Sequence, residues 1–208
     1  MTVLRSIALA LALSSAPLAL CAQSSDLPPG VFRGGTQIGD ARAGSYTLDP
    51  DHTSVVARVS HIGYSWSIFR FDTTAGKLTW DPAAPEKSTL SITVQTASIT
   101  SNVKGFADTL KGDQFLKSAG FPEATFVSTA FRRTDAMRGK VDGNFTLMGK
   151  TRPVTFDVEL VGAGKGYGDR PRLGVTARAT IVPQDYGLSP VFGKAIEIVT
   201  DTEFSREP

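Results

Sequence analysis

The sequence predicts an all-β domain, a sandwich or closed antiparallel barrel of about nine strands with a short helical insertion. Three observations predict it. Apolar and polar residues alternate with a period of two in one segment after another, turn-forming residues separate those segments, and one stretch departs to a helical period.

The N-terminal segment stands apart from that pattern. Arg5 precedes an apolar run from Ile7 to Leu13, which Ser14, Ser15 and Pro17 interrupt before small residues at Ala19 and Ala22. This is the pattern of a secretory signal peptide over residues 1–22, and it predicts a mature, periplasmic chain beginning at Gln23. The run is shorter than the roughly 18–20 residues a membrane-spanning helix needs. Cys21 is the only cysteine. Cleavage after Ala22 removes it. The alternative is a lipid on Cys21, but Leu20 stands where lipoprotein processing favours a small residue.

Residues 23–44 are rich in Ser, Gly and Pro without an apolar period, which predicts a loosely ordered lead-in to a domain over residues 45–206. Within that domain Val55, Ala57 and Val59 alternate with polar or outward positions, as do Leu90, Ile92 and Val94. The clearest strand sets Val154, Phe156, Val158 and Leu160 against Thr155, Asp157 and Glu159. Leu173, Val175, Ala177, Ala179 and Ile181 form a similar face. Further strands fit Trp66–Asp72, Lys77–Trp80, Ala124–Arg132, Lys140–Leu147 and Ala195–Phe204, with turns at Gly76, Asp81-Pro82 and Gly149-Lys150. Val103, Phe106, Ala107 and Leu110 instead follow the i, i+3, i+4, i+7 spacing of a helix, so one or two short helices are expected before Gly120.

Charge excludes little but points away from nucleic acid. The 22 Lys+Arg against 20 Asp+Glu leave a formal +2, and no basic stripe is interleaved with aromatics. The two histidines, His52 and His61, are separated by an odd number of residues, so on one regular strand they face opposite ways and share no metal unless a bulge intervenes. No metal site is expected. His61 has the parity of Val55, Ala57 and Val59, which makes it either a hydrogen-bonded polar residue among core side chains or a ligand contact. The glycine-rich run from Gly162 to Gly168 lacks the Ser or Thr after Lys165 that a phosphate loop carries, and reads as a flexible strand connection. Gly63-Tyr64-Ser65-Trp66-Ser67 lacks the second glycine of a nucleophile elbow, and no His follows it. No catalytic residue is assigned. Twelve Phe, two Trp and four Tyr either fill a core or line a small barrel wide enough for one ligand.

The order of several short motifs resembles the YceI family of extracytoplasmic, lipocalin-like polyisoprenoid-binding proteins. These are Tyr46-Thr-Leu-Asp49, His52-Thr-Ser-Val55, Val59-Ser-His61-Ile-Gly63-Tyr-Ser65 and Gly76-Lys-Leu-Thr-Trp-Asp81, followed by Ala97-Ser98-Ile99. Phe121-Pro122 through Phe126 to Ser128 comes next, then Gly143-Asn-Phe-Thr-Leu147-Met-Gly149-Lys-Thr151-Arg-Pro153-Val154-Thr-Phe156, and last Gln184-Asp185-Tyr186-Gly187. The resemblance spans Tyr46 to Phe204. It implies an eight-stranded antiparallel lipocalin-like barrel whose elongated apolar cavity holds an isoprenoid chain, such as a quinone or polyprenyl lipid, in the periplasm and often as a dimer. It implies no catalytic residues and no required cofactor. The chain departs from the family pattern at Phe69, Ala107, Thr109 and Met148, which removes polar or small groups near the expected cavity and bears on head-group preference.

The ligand-lining residues expected on this reading are His61, Trp66, Phe69, Phe71, Ile92, Val94, Phe106, Leu110, Phe115, Phe126, Phe145, Phe156 and Val158. The leading expectation is a carrier for an amphiphilic lipid with an isoprenoid or acyl tail. The alternatives are an envelope stress or interaction module with a filled barrel, and an enzyme acting on a bound lipid.

Overall fold

The computed structural model describes residues 27–207. The leader and cleavage site expected within residues 1–22, and Cys21, lie outside the described residues. The fold is organised by its first strand, β1 (Gly44–His61), which runs for 18 residues. Tyr46 and Leu48 point inward from its first half. Its pairing shifts between Asp49 and Thr53, so Pro50 to His52 form a bulge. A bulge of odd count inverts the side-chain parity, and beyond it the odd-numbered Thr53, Val55, Ala57 and Val59 line the interior.

One edge of β1 is covered along its length by β10 (Ile196–Arg206). The other edge is shared: β2 (Ser65–Phe71) pairs with Val55–His61, and β3 (Thr74–Trp80) pairs with Gly44–Thr47. Asp72 and Thr73 break what is otherwise one path. The next path is broken in the same way, with β4 (Thr89–Gln95) beside β3 and β5 (Ile99–Ser101) beside β2. The ring then continues through β6 (Glu123–Arg133), β7 (Arg138–Leu147), β8 (Lys150–Lys165) and β9 (Pro171–Ile181) to β10, which closes on β1. Counting each broken path once, this is a closed eight-stranded antiparallel barrel.

Several local expectations are corrected by the backbone. Gly76 is not a turn residue but lies inside β3, opposite Ile92. A Cβ there would stand 2.5 Å from Ile92 Cδ1 and 2.9 Å from the Ser91 carbonyl oxygen, so glycine answers a close approach. The turn between β7 and β8 is centred on Met148-Gly149, with φ of 51° and 72°, and Lys150 already belongs to β8. The helical stretch yields a single helix, α1 (Phe106–Lys111), of six residues. From Gly112 to Gly120 the chain turns without continuing it.

The lead-in is docked rather than loose over its second half. Gly35 and Ala163 exchange two backbone hydrogen bonds of 2.7 and 2.9 Å. Gly34 and Gly162 meet backbone to backbone there, since a Cβ on Gly34 would lie 3.2 Å from Gly162 Cα. The run from Gly162 is therefore partly strand, and only Gly166–Arg170 is a connection. Ala41 is buried, its carbonyl accepts from Trp80 Nε1 at 3.0 Å, and the Tyr46 hydroxyl donates to the Arg42 carbonyl at 2.6 Å. Composition underestimates this segment because these bonds come from the backbone. One apolar cluster, around Tyr46, Leu78, Leu173 and Phe204, closes this end of the barrel. The other end is closed by Leu110 of α1 with Leu116, Tyr186, Leu188 and Phe192.

Candidate functional site: the barrel cavity

Between the two clusters the inward-facing side chains are only half-buried. Val55, Ala57, Ile92, Val94, Phe156 and Val158 all point into a closed ring, yet each retains exposed surface. The surface they expose belongs to an internal cavity of about 280 Å³, near the lower end of the ~300–1,000 Å³ of small-molecule sites. The alternation that makes strands also makes this wall, because every second residue of eight paths is directed at one space.

The wall is aliphatic and aromatic with a few threonines. Four of the five threonine hydroxyls have protein partners: Thr200 and Thr202 lie 2.7 Å apart, Thr53 donates to the Asp49 carbonyl at 2.7 Å, and Thr96 donates to the Phe121 carbonyl at 2.8 Å. A wall whose hydroxyls are mostly bonded already favours an apolar occupant. Titratable groups enter the lining only where the β6–β7 hairpin forms a rim, at Arg132, Arg133, Asp135, Arg138 and Lys140, with Pro85 across from them. Arg132 pairs with Asp142, Arg138 with Glu159, and Lys140 with Asp157. The Met137 N–H, and then that of Arg138, hold the Asp135 carboxyl below the ordinary carboxylate range.

Outside the barrel, the bulge of β1 gathers Asp49, His52 and Glu203 within reach of one another. Arg172 already lies among them, with Nη1 2.9 Å from Asp49 and also paired with Glu203. His52 Nδ1 lies 3.0 Å from Asp49. Burial alone would raise the Asp49 carboxyl, but the His52 hydrogen bond and the Arg172 charge outweigh it and leave its pKa below the usual value. The cluster is a charge-compensated brace between β1, β9 and β10.

Comparison with known proteins bears on the family. The model of the YceI-like domain matches residues 46–204. The chain belongs to the YceI family. A UPF0312 protein of Pseudomonas putida (strain W619) is 38% identical over 152 residues, covering 72% of this chain and 79% of its relative. One from Shewanella sp. (strain W3-18-1) is 32% identical over 157 residues, with 74% and 82% covered. Among solved structures, Burkholderia cenocepacia BcnA shares the fold with a TM-score of 0.68 at 20% identity, over 75% of this chain and 98% of that one. A polyisoprenoid binding domain from Saccharophagus degradans, implicated in plant cell wall breakdown, does so with a TM-score of 0.57 at 13% identity, over 80% and 100%.

In this YceI-like barrel, nine of the thirteen residues expected to line the cavity do so: Phe69, Phe71, Ile92, Val94, Leu110, Phe126, Phe145, Phe156 and Val158. Phe106 and Phe115 stand behind the wall, against the core at the α1 end, with Phe106 6.1 Å from Phe69 and Phe115 5.5 Å from Phe192 between ring centroids. His61 is at the exposed last position of β1 rather than among core side chains. Trp66 lies on the outer wall, its ring 5.0 Å from the Arg58 guanidinium. Its parity is opposite to that of Phe69 and Phe71, which excludes it from the same face of β2. Val55, Ala57, Leu78, Trp80, Phe131, Val175 and Ile198 are among the further residues of the wall that were not expected to line it. Strand parity marks Val55, Ala57 and Val175, whereas attention to aromatics passes over them.

Proposed function

We propose that this chain is an exported binding protein that holds an amphiphilic lipid, its isoprenoid or other long apolar tail in the cavity and its head at the Arg132–Lys140 rim. The observation that carries this reading is a hollow, apolar interior in a closed barrel, with charged groups confined to one rim. That the Saccharophagus neighbour is a polyisoprenoid binding domain supports the ligand class. A quinone or polyprenyl lipid is the finer form of the proposal, and the leader-like residues 1–22 support a periplasmic location.

Magnitudes favour a long tail. Each buried CH₂ gives ~0.8 kcal/mol, so about ten carbons yield ~8 kcal/mol, inside the ~4–15 kcal/mol that association costs. About twenty carbons yield ~16 kcal/mol and exceed it. The wall buries and aligns a chain and directs no acid–base pair at it, which supports carriage over catalysis. The hollow also favours a carrier over a module with a filled barrel.

The test is organic extraction of the protein purified from its own host without detergent, followed by mass spectrometry. About one isoprenoid-tailed or acyl-tailed lipid per chain is expected. An empty extract, together with no uptake of polyprenyl or quinone lipids added afterwards, would refute the proposal.

A further inference from the structure

Large apolar side chains exposed to solvent are unevenly placed. Twelve are found among the described residues, and all but Val31, Phe32, Val127 and Val161 lie at or beside the end of the barrel closed by α1. The extreme point is the β1–β2 hairpin, where Ile62 is 82% and Tyr64 89% exposed. Trp66 continues the apolar surface on the outer wall, and Val103 and Val191 present theirs from the two long connections at the same end.

The hairpin itself runs against what its fold asks for. Ile62 and Gly63 have φ of 55° and 83°, and the Tyr64 N–H bonds back to the His61 carbonyl at 3.0 Å. Two positive φ values make this a turn whose first central position is usually Asn, Asp or Gly. A β-branched residue there is a backbone outlier. Ile62 buries little surface in return, so the folded state of the isolated chain gives no reason for it.

The surroundings supply one. Lys104, Lys117, Lys150, Arg152 and Lys194 are exposed at this end and have no carboxylate within ion-pair distance among the described residues. The acids there without an ion pair are fewer, namely Asp113, Glu123 and Asp185. Apolar and aromatic tips ringed by uncompensated cations are what a peripheral protein presents to anionic lipid head groups.

We propose that the α1 end of the barrel docks on an anionic bilayer surface, with Ile62 and Tyr64 entering the interface and the five cations meeting head-group phosphates. The docking brings α1, which closes that end of the cavity, against the membrane. It does not depend on what the cavity holds.

The test is vesicle flotation of the full chain carrying Cys21→Ser, so that no lipid anchor can form. Vesicles of phosphatidylcholine alone are compared with equal parts of phosphatidylcholine and phosphatidylglycerol. Flotation with the anionic vesicles is expected, weakened by salt through screening. Ile62→Asn should reduce it by about tenfold or more, the factor for withdrawing one Ile side chain from apolar surroundings, while leaving Tm equal or higher because Asn tolerates positive φ. Val127→Ser, on the outer wall of β6, should change nothing. Absence of flotation, or equal flotation by the wild type and Ile62→Asn, would overturn the proposal. So would a wild-type dimer that fails to float and that Ile62→Asn dissociates, since a second copy would then cover this end.

Discussion

Phe126 and Phe156 lie on strands that do not pair, yet their rings meet edge to face inside the barrel, with centroids 5.0 Å apart and planes at 75°. The strand between them is β7, and Gly143 is the reason they can touch. A Cβ at that position would come within 2.3 Å of Phe126 Cζ and 2.6 Å of the Val127 carbonyl oxygen. The missing side chain is thus filled by the Phe126 ring, which crosses β7 to reach β8.

Gly143→Ala should therefore destabilise the barrel and also reshape its cavity. The Phe126 ring can swing aside but the Val127 carbonyl cannot, so the cost is that of overpacking, about 1–3 kcal/mol. Thermal unfolding measures the first effect, and lipid recovered per mole of protein measures the second. Unchanged stability would mean that the ring and backbone relax together without loss.

How far the fold was legible follows from the same geometry. The parity of Val154 to Leu160 and of Leu173 to Ile181 could be read because one face of each strand meets solvent and the other does not. Three devices left no such trace. The bulge at Pro50–His52 inverts parity within one strand, the breaks at Asp72-Thr73 and before Ile99 split two paths, and Gly76 stands in a strand because Ile92 crowds it. Each depends on a partner distant in sequence. The cavity was legible in kind, since aromatic and branched residues on inward faces imply a wall. Its membership was less so, because His61 and Trp66 owe their places to the end and the outside of the barrel, and Ala57 or Val175 carries no distinctive chemistry.

Asp49 predicts a loss of stability in acid. Its carboxyl is held below the ordinary Asp value by His52 and Arg172 against the effect of burial, so the folded state binds fewer protons than the unfolded state around that value. The stabilisation is complete above the unfolded pKa of about 3.9 and is lost as pH falls through the lower folded value. Asp49→Asn should flatten the fall in Tm below about pH 4. An identical acid profile for both chains would assign the loss to other carboxylates.

The same brace predicts metal independence. A cation approaching Asp49, His52 and Glu203 meets the Arg172 guanidinium already paired with both acids, and like charges repel at that range. Neither zinc nor a chelator should move Tm or change the lipid content. A stoichiometric metal that leaves on chelation and takes bound lipid with it would contradict this.

Export is predicted from Arg5, the run Ile7–Leu13 and Ala22. N-terminal sequencing of the protein from a periplasmic fraction should begin at Gln23. A lipid on Cys21, or Met1 retained in the cytoplasm, would refute this form of the claim.

The strongest link between fold and function is the parity of β8. Phe156 faces the cavity and meets Phe126, whereas Val161 on the same strand is 60% exposed on the outside. Thr155 is not a neutral control, because its hydroxyl donates to Asp142 at 2.6 Å, and a carboxylate there would meet another. Phe156→Asp removes a ring from the wall and places an unpaired carboxylate among apolar groups, where it must be neutralised or destabilise the fold. The expected cost is about 3–5 kcal/mol, as for emptying an aromatic core site, with loss of bound lipid. Val161→Asp should stay within about 0.5 kcal/mol of the wild type and keep its lipid. Thermal unfolding and lipid per mole distinguish the two. Because Phe156→Asp can fail to fold, Val158→Thr serves as the milder probe of the same wall: it keeps the side-chain shape and replaces one methyl by a hydroxyl, so lipid content should fall more than stability does. A folded Phe156→Asp chain with full lipid content would place the ligand outside the barrel.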